Sequence, residues 1–130
     1  MNRRNRAGRT LVAIGSLALF ATAAIHFLAG YSQGLPALAA SNLGAGLQSG
    51  FRVVFLSVAW DWILLGLIGA VAAFKATAAR RSPVLLSGFG ILIEALGGAT
   101  VMGLFIGNEL IGIAAIFTII GGCLLGDANG

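Results

Sequence analysis

Residues 53–74 read VVFLSVAWDWILLGLIGAVAAF, twenty-two positions in which Ser57 and Asp61 are the strongly polar members. A helix rises 1.5 Å per residue, so about 20 apolar residues cross about 30 Å of hydrocarbon. A membrane strand takes only about 9–11 residues and alternates polar with apolar, which this run does not do. In lipid the backbone must satisfy its own hydrogen bonds, and over such a length helix is the remaining choice.

Working outward, three more runs have the same character. On the C-terminal side lie Val84–Ile106, holding Ser87, Glu94 and Thr100, and the shorter Leu110–Leu125, holding Thr118. On the N-terminal side lies Leu11–Ala29, interrupted by Ser16, Thr22 and His26. The whole chain is 58% hydrophobic and 9% charged, with a mean hydropathy of +0.99. Soluble domains run about 45–50% apolar and about 25% charged, so there is too little polar side chain here to make a water-facing surface. The expectation is therefore an all-α, integral membrane four-helix bundle, a single transmembrane domain with spans near 11–30, 52–74, 84–107 and 109–126.

Charge gives the orientation. Arg3, Arg4, Arg6 and Arg9 precede the first run, and Lys75, Arg80 and Arg81 follow the second, which accounts for seven of eight cations. Such clusters mark the cytoplasmic side and meet anionic lipid head groups. Both termini are expected inside, with no nucleic-acid partner, since the cations flank apolar runs instead of spreading over a face. Ala and Gly richness with Arg in preference to Lys points to a prokaryotic chain in the plasma (inner) membrane. A competing reading treats MNRRNRAGRT, the Leu11–Phe20 core and Ala21-Thr22-Ala23 as a cleaved signal peptide. A retained span is expected instead, because the apolar run continues through Ile25, Phe27 and Leu28.

Between the first two runs, Leu35, Leu38, Leu43, Leu47 and Phe51 recur at near-helical steps after Pro36. This pattern predicts a short interfacial helix over about 35–50. Small residues suit close helix packing in a membrane, and Gly90, Gly97, Gly98, Gly121 and Gly122 are the expected packing positions.

Ionisable residues within apolar spans are costly and ask for a reason. Asp61 lies nine residues in from Arg52, about 13 Å at the helical rise, and Glu94 ten residues in from Val84, about 15 Å. Two carboxyls at one depth cannot both stay charged in a dry interior. With His26 nearer the outside they form a candidate proton relay, or else hydrogen-bonded glue between helices. Trp60 and Trp62 flank Asp61 and are candidates for stacking a ligand, although residues two apart point about 200° apart on a helix. Arg52 and Glu109 mark the outer boundary.

Recognisable enzyme chemistry is missing. A single histidine excludes bis-histidine haem, no cluster has metal-ligand spacing, and no phosphate-binding or nucleophile-elbow motif occurs. No cofactor is expected. Glu94 followed by Gly97-Gly98 resembles the glutamate and paired glycines in a late span of DoxX-like membrane proteins, but over these few residues the resemblance implies no site or activity. The leading functional expectation is a non-enzymatic bundle acting as a homo-oligomer or as an accessory subunit of a membrane complex. The alternatives are a proton-coupled transporter or channel using His26, Asp61 and Glu94, and a quinone- or lipid-handling membrane enzyme.

Overall fold

The computed structural model describes residues 3–74, 81–103 and 106–126. Every element among them is helical: α1 (Arg3–Ala29), a π-helical turn (Gly30–Gly34), α2 (Leu35–Ala39), α3 (Ala45–Phe74), α4 (Arg81–Met102) and α5 (Ile106–Leu124). Four helices are long and apolar enough to cross a membrane, the first running unbroken from Arg3 to Ala39.

That first helix changes the expected anatomy of residues 35–50. No separate interfacial helix forms. Leu35–Ala39 extends α1, Ala45–Gly50 opens α3, and a turn joins them. Pro36 explains the π turn just before it: proline has no N–H to give the carbonyl four residues back, and its ring crowds that carbonyl. The backbone widens instead, so that the Leu35 N–H reaches the Gly30 carbonyl, five residues back. Gln48 then ties the turn down, donating to the carbonyls of Ser41 (3.3 Å) and Leu43 (3.0 Å).

The later boundaries also move. α4 stops at Met102 and not near 107, because Gly103 adopts φ +77°, the left-handed conformation that ends a helix and favours glycine. Residues 107–109, where the expected third span ends and the fourth begins, lie instead in the first turn of α5. Glu109 there faces the positive end of the helix dipole.

α1 packs along both α3 and α5, α5 along α4, and α3 meets α4 over a much shorter length. Glycines make the tight seams possible. A Cβ on Gly121 of α5 would lie 2.9 Å from the Gly8 carbonyl oxygen and 2.9 Å from the Val12 nitrogen, both α1 backbone. Gly122 lies against Val84 and Leu85, and Gly98 against Asn108. These three expected packing glycines do pack within the chain. Gly90 and Gly97 do not: among the described residues nothing would lie within 4 Å of a Cβ on either, because the helical period turns them to the exposed side of α4 with Ile93 and Val101.

The basic N-terminal segment makes contacts of its own within the bundle. Arg9 donates through Nε to the Ala73 carbonyl and through its terminal nitrogen to the Phe74 carbonyl (3.1 Å), while Arg4 donates to the Cys123 carbonyl (3.1 Å). The ends of α3 and α5 carry unpaired carbonyls and partial negative charge, which a guanidinium satisfies on both counts. Arg3, Arg6 and Arg81 are exposed, whereas Lys75 and Arg80 lie outside the described residues.

Candidate functional site

At the end of the bundle away from these arginines, the four helices border an open cavity of about 870 Å³. Each contributes side chains. α1 brings Thr22, Ile25 and His26, α3 brings Phe55, Val58 and Trp62, α4 brings Glu94 and Gly98, and α5 brings Asn108 and Ile111. Gln33 and Gly34 of the π turn, with Ile106 and Gly107, border its mouth.

The helical period decides who enters. Trp62 is only 5% exposed and points into the bundle, while Trp60 is 57% exposed on the outer side of α3, its ring edge-on to Phe27 at 6.2 Å. Asp61, between them, is also exposed and is not part of the cavity lining. Of the three residues placed in a relay, the fold therefore brings His26 and Glu94 to one cavity and leaves Asp61 outside it. Ser57, one turn before Asp61, is likewise exposed and donates to the Val54 carbonyl (2.8 Å).

Inside the cavity the aromatic and polar groups form one connected set. The indole Nε1 of Trp62 donates to Glu94 Oε1 at 2.9 Å. His26 lies edge-on to the Trp62 ring (5.1 Å) and stacks on Phe55 (4.0 Å between centroids, 18° between planes). His26 Nε2 is 3.0 Å from the Phe55 carbonyl oxygen. A carbonyl can only accept, so Nε2 carries the proton, and in the neutral ring Nδ1 holds the lone pair.

Several participants were not singled out from the sequence. Phe55 had no distinguishing mark in a hydrophobic run. Its ring occupies the space where a Cβ on Gly30 would stand, so the small residue at the start of the π turn is what lets it stack on the histidine. Asn108 is 6% exposed and donates to the Gly103 carbonyl (3.0 Å), holding the α4–α5 connection beside the cavity. A signal for it existed. Asn108, Ile111, Ala115, Thr118 and Gly122 recur at alternating steps of three and four, which is one buried stripe of α5. Arg52 and Glu109 are exposed and take no part in the lining.

Comparison with models of known families, with curated proteins and with solved structures returned no match. The chemistry of the cavity therefore carries the functional argument.

Proposed function

We propose that this chain is a membrane-embedded binding protein whose cavity holds a small amphiphile of quinone or lipid type. The observation that carries the reading is the cavity itself. Its volume of about 870 Å³ lies in the range of small-molecule sites, and its walls are largely apolar with a few convergent polar groups. The ring cluster of His26, Phe55 and Trp62 offers faces and edges for an apolar body. No catalytic constellation is needed for this task.

The reading includes insertion as four spans with both termini on the cytoplasmic side. The arginines at the start of α1 and Arg81 at the start of α4 lie at one end, as positive-inside bias requires. The cavity then opens toward the outer leaflet. A cysteine introduced at Ser41 should be labelled by an impermeant reagent from outside sealed cells, and protection there would reject this orientation.

Native mass spectrometry of the protein purified in mild detergent tests the binding. A retained amphiphile is expected, and Val58→Trp, which fills the cavity from α3, should release it while leaving the helical content unchanged. A wild-type protein that carries nothing and takes up no added quinone or lipid would sink the proposal.

A second reading, assembly with another membrane chain or a second copy, is favoured by Asp61. A carboxyl on the outer side of an apolar helix costs about 2.5–3.5 kcal/mol at the centre of a bilayer, which a partner would relieve. Asp61→Asn should then reduce a larger species to monomer on native gels; a wild type that runs only as monomer rejects this reading.

A further inference from the structure

Donor and acceptor accounting within the cavity goes one step further. The donors along its inner part are already committed to the protein. Trp62 Nε1 is spent on Glu94, His26 Nε2 on the Phe55 carbonyl, and the Thr22 hydroxyl on the Ala18 carbonyl (2.8 Å). With Glu94 ionised and His26 neutral, what remains is accepting capacity. The second carboxyl oxygen of Glu94 and Nδ1 of His26 have no hydrogen-bond partner among the described residues. Among the described lining residues the side-chain amides are Gln33 and Asn108, and Asn108 already donates to the Gly103 carbonyl. Among the described residues no lysine or arginine lines the cavity, and the ionisable ones that do are His26 and Glu94.

Resting on the binding reading above, we infer that the occupant is an amphiphile whose polar end donates hydrogen bonds, a hydroxyl or protonated amine that reaches Glu94 and His26 ahead of an apolar body. A donating head pairs with lone pairs on the half-buried Glu94 and His26 that no described residue satisfies, and a site built to hydrogen-bond a ligand group discriminates against ligands that lack it. A carboxylate or phosphate head meets Glu94 with no cation to offset it. An ether or ketone head brings only further acceptors. Among quinone-type molecules, the reduced, hydroxyl-bearing form is therefore preferred to the oxidised one.

A matched set of twelve-carbon probes separates head from body. The Trp60→Phe protein in lipid nanodiscs, with Trp62 as its one tryptophan, is titrated with 1-dodecanol, dodecylammonium, dodecyltrimethylammonium, dodecyl methyl ether and dodecanoate. Partitioning is corrected with empty nanodiscs. Dodecanol, dodecylammonium or both should bind at least about tenfold more tightly than the ether, and dodecanoate more weakly than the ether. Which donor binds tighter tells a neutral hydroxyl from a protonated amine. Glu94→Gln places an N–H₂ where an accepting oxygen stood, and should narrow the alcohol–ether gap to under about threefold. Equal binding by all heads, or tight binding by the trimethylammonium, which is charged but has no N–H, overturns the inference and leaves the binding reading intact. Binding by no probe overturns both.

Discussion

Gly121→Ala is expected to lower the stability of the bundle by about 1–3 kcal/mol, the usual cost of overpacking, whereas Gly90→Ala is expected to leave it unchanged or slightly raised. The two substitutions add the same methyl to helices of similar composition. At Gly121 that methyl would lie 2.7 Å from Val12 Cγ2 and 2.9 Å from two α1 backbone atoms. Backbone cannot rotate aside, so α1 and α5 must part along their longest seam. At Gly90 nothing stands within 4 Å, and alanine is the better helix former. Thermal unfolding followed by circular dichroism in one detergent compares them directly. Equal midpoints would show that the α1–α5 seam is not as close as described.

Trp62→Ala is expected to cost about 3–5 kcal/mol, the range for deleting a large buried aromatic. Three losses coincide there. The ring leaves a void among Leu19, Ala59, Ile91 and Ala95, His26 loses its edge contact, and Glu94 loses its only donor. Trp62→Phe separates the terms. It keeps most of the volume and removes the N–H, so a smaller loss of about 1–3 kcal/mol is expected from the unpaired carboxyl oxygen. Trp60→Ala is the control, and its exposed ring should matter by less than about 1 kcal/mol. Midpoints that rank Trp60→Ala as the most damaging would place the wrong indole inside the bundle.

The four long helices were legible because run length and hydropathy are summed properties, indifferent to the facing of any one residue. The ends were less so. Gly103 looked like one glycine among many, and only its backbone conformation makes it the stop for α4. Pro36 was visible as punctuation, but the sequence does not say whether the helix halts there or absorbs it in a widened turn. At the site, His26 and Glu94 could be picked out as costly residues in apolar runs, yet their shared cavity depends on which helices are neighbours. The spacing of Asp61 and Glu94 suggested a pair by depth alone. Asp61 stays off the cavity lining, and the residue that hydrogen-bonds Glu94 is Trp62, one position and about 100° along α3. The uncovered Gly90 and Gly97 carry the same lesson: small residues at helical spacing mark a face without saying what covers it.

The arginine contacts at the base of the bundle bear on how the chain comes together during synthesis. Of the four long helices α1 is made first, and it carries Arg9 for the end of α3 and Arg4 for the end of α5, the last of the four. Its glycine-lined flank also waits for α5, so a nascent chain that stops before residue 106 holds a leading helix with one side unclosed. Folding is thus a join between the first and last of the four long helices, and truncations that remove α5 should be as damaging as those that remove α1.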